Sequence, residues 1–211
     1  MNKLLINQSV APIVLASQSK VRADILRRAG LDFHIEPAHI DEEMIREGME
    51  LENAPSAHIA ETLAEMKAIR VSTLLNNRGA GDAFVIGADQ VLDLKGIRFD
   101  KPRDLDQAKA HLKAFSGKTH QLISATVIAR HGAPIWRHVG RATMAVRELS
   151  DDFINAYVDH EKDHICQSVG AYFVEGLGVH LFSEMLGDQS TIQGLPIIPL
   201  LDFLRANEVV L

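Results

Sequence analysis

The order of apolar and polar positions along the chain predicts a mixed α/β protein with strands running in both directions. Short continuous apolar runs are typical of buried strands, whereas apolar residues spaced three and four apart predict helices. Strands are predicted at residues 12–16, 31–35 and 84–86, around Val91 and Ile97, and at residues 122–129 and 135–146, which His131 and Gly132 join as an antiparallel hairpin. Helices are predicted between Ser17 and Gly30, after Pro55, at Leu105–Phe115, near residues 151–157 and after Pro196.

Three further patterns lead to predictions about local structure. The acidic residues 41–43 are interpreted as a solvated connection, and the glycine-rich residues 170–178 as part of a strand. His120, which follows Ser116-Gly117, is interpreted as an exposed strand residue. In the helix after Pro55, one apolar stripe is predicted to contain Ile59, Leu63, Met66 and Leu74.

The composition fits a folded core in one domain or in two tightly joined lobes. The chain has 211 residues, of which 46% are hydrophobic and 24% are charged, and these values are ordinary for a globular protein. Lysine and arginine total 22 against 28 aspartates and glutamates, which gives a net charge of −6. That balance argues against nucleic acid polymers and anionic membranes as partners, because both favour a basic surface. An anionic partner must therefore be bound by a local cluster of cations.

The cysteine content and the apolar runs predict where the protein works. Cys166 is the single cysteine, so neither an internal disulfide nor a cysteine-based metal site is expected. The longest apolar stretch, residues 195–201, is far shorter than the ~18–20 residues that span a bilayer. The first residues make a poor signal peptide, because Asn7, Gln8 and Ser9 interrupt their apolar content. These features predict a soluble, reduced, cytoplasmic protein.

The junction between the first predicted strand and helix is the first candidate for chemistry. A helix N-terminus favours anions, yet Lys20 and Arg22 follow Ser17 and Ser19 in this first turn. One interpretation is that hydroxyls, backbone N–H groups and Arg22 bind an external phosphate. The other is that a serine caps the helix and the basic side chains reach solvent, and the pattern alone favours this second interpretation.

A carboxylate directly after an apolar strand is the second candidate. Asp89 follows Phe84-Val85-Ile86 with only Gly87 and Ala88 between them, and a carboxylate in apolar surroundings is costly unless a cation or hydrogen bonds compensate it. Such a group commonly holds a metal or accepts a proton from water. A β-bulge or turn in which Asp89 caps backbone N–H groups is an equally good interpretation.

Lysines and a glutamate elsewhere are weaker candidates. Lys67 shares a helix face with Ile59 and Leu63, so it either extends from the edge of the core to solvent or points its ammonium into a cleft. Lys101, which precedes a proline, is a further candidate cation. Glu42 is able to join Asp89 at a hard cation such as magnesium or manganese, although an acidic triplet is more often a solvated loop.

Taken together and in order, these motifs resemble those of the Maf-like nucleoside triphosphate pyrophosphatases. The resemblance runs from about residue 12 to residue 204, and its specificity lies in the ordered sum of the pieces. The matching pieces are Leu15-Ala16-Ser17-x-Ser19-x-x-Arg22, Asp41-Glu42, Leu63-Ala64-x-x-Lys67-Ala68, Gly87-x-Asp89, Lys101-Pro102, Ser116-Gly117-x-x-His120 and Gly194-Leu195-Pro196-Ile197.

The resemblance implies a fold, a reaction and roles for individual residues. The fold is a two-lobed, mixed-sheet α/β fold, inosine-triphosphatase-like, with a deep cleft, and residues 1–211 form one such domain, usually as a homodimer. The reaction converts a nucleoside triphosphate to the monophosphate and pyrophosphate, with a divalent cation (magnesium, manganese or cobalt). The resemblance implies that Asp89 is the proton acceptor and also binds the metal with Glu42, that Lys67 and Lys101 act in catalysis, and that Ser17, Arg22, Gln90 and Glu175 bind substrate.

Departures from the family pattern bear on the choice of substrate. Most members carry threonine where this chain has Gln90, and glutamine where it has Glu175. Both residues, with Gly176-x-Gly178 and Leu181-Phe182, resemble the 7-methyl-GTP pyrophosphatase subgroup, which implies house-cleaning of modified nucleotides. A dTTP/UTP pyrophosphatase is one alternative, although Gln167-Ser168 replaces an Asp-Lys pair common in other members. A nucleotide-binding regulator of septum formation and cell division is the other.

Overall fold

The computed structural model describes residues 11–210, which contain seven helices, seven strands and three short 3₁₀ turns. The strands are β1 (Ile13–Leu15), β2 (His34–Ile35), β3 (Phe84–Leu94), β4 (Ile97–Phe99), β5 (Thr119–Arg130), β6 (Ala133–Val146) and β7 (Phe182–Leu186). The helices are α1 (Lys20–Arg28), α2 (Glu42–Leu51), α3 (Ser56–Asn77), α4 (Leu105–Phe115), α5 (Asp151–Glu161), α6 (Gln189–Ile192) and α7 (Ile197–Ala206). The 3₁₀ turns are Ile165–Gln167, Val169–Ala171 and Leu177–Leu181.

The strands form one mixed sheet in the order β2-β1-β3-β5-β6-β7, with β4 paired to β3. β1 runs parallel to both β2 and β3, whereas β4 is antiparallel to β3 and β7 is antiparallel to β6. The prediction of an α/β fold with strands of both directions is therefore confirmed. The deep cleft implied by the family resemblance stays a prediction.

The contacts divide the described chain into two compact units, each with its own buried core. The first unit contains residues 11–89, 124–140 and 194–210, and the second contains Gln90–Ile123 and Arg141–Gln193. Side chains from β1, α1, β3 and α7 fill the first core, among them Leu15, Leu26, Ile86 and Leu200. The second core is built from β3, α4, β5, β6 and α5, among them Leu92, Leu112, Met144 and Val158.

Several helix ends and one hairpin form where the sequence predicts them. The Ser19 side chain accepts a hydrogen bond from the backbone N–H of Arg22 and so caps α1. Gly30 follows that helix with φ of +76°, a left-handed conformation that favours glycine. The predicted hairpin of β5 and β6 is also present, and His131 and Gly132 form its turn with φ of +52° and +78°.

The interpretation of residues 41–43 as a solvated connection is wrong, because they begin a helix. The Asp41 side chain accepts a hydrogen bond from the backbone N–H of Met44, and Glu42 and Glu43 occupy the first turn of α2. Carboxylates in a first turn are stabilised by the positive end of the helix dipole. No residue of α2 is buried, so its cap and first turn stabilise it without a buried apolar stripe.

The prediction of a strand at residues 170–178 is also wrong. Gly170 has φ of +80° between two 3₁₀ turns, and a Cβ at Gly178 would overlap the backbone of Phe173. These glycines therefore permit tight turns and close backbone contacts, and β7 begins only at Phe182. The residues around Val91 do not form a separate strand, because they continue β3.

The predicted helix after Pro55 is present as α3, but its buried stripe differs from the prediction at two positions, since Met66 is exposed and Leu74 is only partly buried. Ile59 and Leu63 are fully buried, whereas Met66 is 39% exposed. The next buried position on that face is Lys67, which is only 5% exposed. Among residues 11–210, no helix is both long enough and apolar enough to span a membrane.

Candidate active site

Lys67 of α3 and Asp89 of β3 form a buried ion pair within the first unit. Lys67 Nζ lies 2.7 Å from Asp89 Oδ1, and the two residues are 5% and 4% exposed. The interpretation of Lys67 as a side chain extending to solvent is therefore wrong. Asp89 continues β3 and does not cap a turn, so a compensating cation is what allows this carboxylate to be buried.

Gly87 makes this contact possible, because it lets α3 approach β3 closely. A Cβ at Gly87 would overlap the backbone oxygen of Ala64 and lie 2.7 Å from the backbone nitrogen of Ala68. The helix turn that carries Lys67 therefore rests directly on the strand that carries Asp89. In the sequence Gly87 stands out only as part of a motif, although a glycine inside a strand is a known sign of close backbone approach.

Glu42 lies at the same ammonium group. Its Oε2 is 2.8 Å from Lys67 Nζ, and its side chain is 45% exposed. One lysine therefore contacts two carboxylates, of which Asp89 is buried and Glu42 is open to solvent on one side. The two carboxylates proposed from sequence to share a cation are together at this point.

The second oxygen of Asp89 has no protein partner. Asp89 Oδ2 is buried and makes no hydrogen bond within residues 11–210. A buried carboxylate oxygen without a partner is costly, since it has lost its water without gaining a donor. An external donor or cation is what this atom is suited to receive.

Arg22 is anchored beside these groups by backbone and side-chain oxygens of the first unit. Its Nε donates to Gly194 O at 2.9 Å, and its Nη1 donates to Ala88 O at 2.8 Å and to Ser17 Oγ at 3.3 Å. Burial lowers the pKa of Arg22, and the negative charges of Asp89 and Glu42 oppose that shift. Arg22 Nη2 makes no hydrogen bond within residues 11–210.

These contacts test the interpretation that the basic side chains of the α1 junction reach solvent, whereas phosphate binding there stays a prediction. The solvent-reaching interpretation is wrong for Arg22, although it holds for Lys20, which is exposed. Ser19 caps the helix, whereas Ser17 is 9% exposed and its hydroxyl also accepts from the backbone N–H of Ser19 at 3.2 Å. The junction thus presents a guanidinium whose Nε and Nη1 are both held by protein oxygens.

The second unit contains three further residues that the resemblance implicates, namely Gln90, Lys101 and Glu175. The Gln90 side-chain amide donates to the backbone oxygens of Thr191 at 3.2 Å and Ile192 at 3.0 Å, so it holds the end of α6. Lys101 and Glu175 are both exposed.

A cavity of about 340 Å³ lies within the second unit. One of its lining residues, Val174, directly precedes Glu175 in the chain. The wall of the cavity is contributed by the 3₁₀ turn region, β7 and α6 and presents both polar and apolar surface. The lining residues are Val174, Val179, Met185, Gly187, Gln189 and Ile192. Since Gln90 binds the backbone of Ile192, it helps to fix one wall of this cavity.

His120 is buried in the second unit, so the interpretation of an exposed strand residue is wrong. It is 1% exposed and its Nε2 lies 2.7 Å from the Tyr172 hydroxyl. Burial lowers the pKa of His120 to about 4, so the ring is neutral at pH 7. With Phe115 and Phe182 it forms an aromatic cluster, and this environment supports a packing role.

Residues 11–210 contain no group of three or more histidine, cysteine, aspartate or glutamate side chains able to hold a metal unaided. The pair of Glu42 and Asp89 is nevertheless suited to a hard cation, because Asp89 Oδ2 is unpartnered and Glu42 is partly open. Magnesium in particular is usually bound by one or two carboxylates together with substrate phosphates. The donor set therefore fits a divalent cation that arrives with a phosphate ligand.

The described chain is a mixed α/β protein with a partly buried cluster of two carboxylates, a lysine and an arginine. The chain belongs to the Maf family, whose model, described as Maf-like protein, matches residues 12–207. The family resemblance carried by the sequence motifs is thereby confirmed.

Relatives support the same class of enzyme. A nucleoside triphosphate pyrophosphatase of Caulobacter vibrioides is 45% identical over 199 residues, which cover 94% of this chain and 97% of the relative. One from Paramagnetospirillum magneticum is 45% identical over 194 residues, with 92% and 97% covered. A 7-methyl-GTP pyrophosphatase of Brucella suis is 45% identical over 198 residues, with 94% and 97% covered. These names agree with the predicted class, a hydrolase acting on phosphorus-containing anhydrides.

Proposed function

We propose that the chain hydrolyses nucleoside triphosphates to the monophosphate and pyrophosphate, with Asp89 as the proton acceptor. The observation that carries this proposal is the buried, unpartnered Oδ2 of Asp89. In the free protein Lys67 contacts Oδ1, so the carboxylate is positioned there with its other oxygen available to a water molecule. That water adds to phosphorus, its proton passes to Oδ2, and the bond to the bridging oxygen between the α and β phosphates breaks.

The cations of the first unit are suited to a polyphosphate. Arg22 has its Nε and Nη1 fixed by protein oxygens, so its Nη2 edge is held ready to donate to a phosphate oxygen. Lys67 has three N–H donors, of which two face carboxylates. We assign Ser17 to the same phosphate site through its contact with Arg22, and Lys101 to the leaving pyrophosphate on the strength of the family motif.

Glu42 and Asp89 would hold the divalent cation. When bound, such a cation neutralises charge on the phosphate oxygens as the pyrophosphate leaves. We further propose that residues 1–211 act as one two-lobed domain that forms a homodimer.

A panel of substrates and metals tests the reaction. The panel contains 7-methyl-GTP, GTP, UTP and dTTP, each with magnesium, manganese and cobalt, and both products are quantified. We expect equimolar monophosphate and pyrophosphate that depend on added metal. Release of single phosphates would contradict the proposal, and tight nucleotide binding without turnover would support the regulator of cell division instead.

We propose 7-methyl-GTP as the preferred substrate, and with it a role in removing modified nucleotides. A carboxylate only accepts hydrogen bonds, and the Watson–Crick edge of guanine offers adjacent N–H donors at N1 and N2. Methylation at N7 adds positive charge, which a carboxylate also favours. Glu175 is exposed and follows Val174 of the cavity wall, so it is able to receive a base, whereas a glutamine would suit uracil or thymine better. Gln90 is assigned to the same base site through Ile192.

Glu175→Gln is expected to weaken the preference for 7-methyl-GTP over UTP. A paired contact to a base edge contributes ~1–3 kcal/mol of discrimination, so the ratio of the two kcat/KM values should fall by roughly tenfold to a hundredfold. Steady-state kinetics on the same panel provide the measurement. Glu184→Gln, which neutralises another exposed carboxylate of the second unit, is the matched control and should leave the ranking unchanged. An unchanged ranking in Glu175→Gln itself would remove this residue from base recognition.

A further inference from the structure

The position of Lys67 between two proposed metal ligands has a consequence for metal binding. Its ammonium lies 2.7 Å from Asp89 and 2.8 Å from Glu42, which are the distances at which an ammonium directly neutralises carboxylates. The contacts to Lys67 occupy one oxygen of Asp89 and one of Glu42. A divalent cation bound by both carboxylates would need the position between Asp89 and Glu42 that the Lys67 ammonium occupies.

We propose that Lys67 competes with the divalent cation for Glu42 and Asp89, and that a bound triphosphate relieves this competition by drawing the ammonium to its own oxygens. The inference rests on the proposed function, because it takes Glu42 and Asp89 as the metal ligands. It makes Lys67 the residue that couples metal binding to nucleotide binding. In the free protein the lysine serves as the internal counter-ion of the acidic pair.

The charges of the cluster support the direction of this coupling. Arg22 and Lys67 carry two positive charges, and Glu42 and Asp89 carry two negative charges, so the free cluster is neutral overall. A divalent cation alone adds to the charge that the ammonium and guanidinium already supply, and is repelled by both. A triphosphate that binds without the metal is repelled by the two negative carboxylates. Together the two ligands compensate one another, so each should tighten the binding of the other by the same factor.

The burial of the pair makes the competition strong. Lys67 and Asp89 are both more than nine-tenths buried, so water screens their interaction less than at the surface. Neither group can simply turn to solvent when the metal arrives. The ammonium needs a new acceptor, and phosphate oxygens of the substrate are the acceptors that the proposed reaction supplies.

Manganese binding without turnover tests the proposal. Free manganese is measured by electron paramagnetic resonance in the wild type and in Lys67→Met, each alone and with an α,β-methylene nucleoside triphosphate, whose carbon bridge blocks the cleavage. We expect the methylene analogue to tighten manganese binding in the wild type by about tenfold or more. Lys67→Met should bind manganese about tenfold more tightly than the wild type when no nucleotide is present, and the gain from the analogue should shrink.

A matched variant distinguishes the effect of the Lys67 contact on manganese binding from the effect of the protein's net charge. Lys113→Met removes a lysine from an exposed ion pair with Asp151, and we expect it to bind manganese as the wild type does. If both variants bind manganese more tightly by the same factor, net charge is the cause and the proposal is wrong. Manganese affinity in Lys67→Met that equals or falls below that of the wild type would also overturn it, because a merely structural lysine orders the carboxylates and its loss weakens the site.

Two measurements protect the test against misfolding of the variant. Lys67→Gln retains a hydrogen-bond donor for Asp89 and should show the same tightening if Lys67→Met fails to fold. In the wild type, a methylene analogue that leaves manganese affinity unchanged would refute the coupling without any variant. Pyrophosphate release by the wild type is assayed separately, so a failure of this inference in an active enzyme is distinct from a failure of the proposed function.

Discussion

Asp89→Asn is expected to lower kcat by about 10²–10⁴-fold, which is the range that a general base contributes. The amide keeps the shape of the side chain and still offers an oxygen to Lys67, but it no longer takes a proton from water. The chain should remain folded, because Lys67 keeps Glu42 as a partner. Steady-state kinetics with the preferred substrate, together with a thermal unfolding curve, measure both effects.

A second carboxylate of the first unit provides the control for this variant. Asp24 lies on α1, is 52% exposed at its side chain and pairs with Arg27 at 2.7 Å. Asp24→Asn changes the same chemical group outside the cluster and should retain the kcat of the wild type. Turnover near the wild-type value in Asp89→Asn would assign the base role to another group.

Gly87→Ala is expected to damage both stability and catalysis, because it forces α3 away from β3. The added methyl group overlaps the backbone oxygen of Ala64, and backbone atoms of a packed helix cannot move aside individually. Overpacking of this kind lowers the free energy of unfolding by roughly 2–3 kcal/mol. The displacement of α3 also separates Lys67 from Asp89, so kcat should fall by about tenfold or more, since small misplacements at a reacting centre have large effects. Urea unfolding and kinetics at low temperature measure the two losses.

Gly48→Ala is the matched control, since it adds the same methyl group in open space. Gly48 lies inside α2, and a Cβ there meets no atom within 4 Å. Alanine in a helix interior is favoured over glycine by roughly 0.5–1 kcal/mol, so this variant should be as stable as the wild type or slightly more so. A Gly87→Ala protein with unchanged stability and kcat would show that α3 has room to move.

The sequence predicts the individual site residues better than their partners. The spacing of Ile59, Leu63 and Lys67 correctly places the lysine on a face shared with core residues. The apolar run before Asp89 predicts only that the aspartate follows a strand, with a bulge or turn as an equally good interpretation, whereas the aspartate lies within β3. The contact between them depends on packing of α3 against β3, and no local pattern encodes that distance. Likewise Arg22 reads as a solvent-exposed helix residue because its acceptors, Ala88 and Gly194, lie 66 and 172 residues further along the chain.

The elements that the sequence misses share a physical cause. Residues 41–43 resemble a loop in sequence, because α2 is held by its Asp41 cap and by contact with α3, and not by a buried apolar stripe. The turns around Gly170 and Gly178 depend on left-handed backbone and on close approach to Phe173, which resemble strand glycines when only composition is visible. In both places capping, backbone conformation and close packing outweigh the local apolar pattern.

Glu42 and Asp89 differ in their freedom of movement, because Glu42 lies on the exposed helix α2 and Asp89 on the buried strand β3. Asp89 lies in a strand of the core and leaves its place only if that core opens, whereas Glu42 sits in the first turn of a helix with no buried residue. Local opening free energies are smallest where few apolar contacts hold a segment. Fraying of the first turn of α2 is therefore enough to withdraw Glu42 from Lys67, and if Glu42 holds the proposed cation, one loosened helix turn would release it while both cores stay intact.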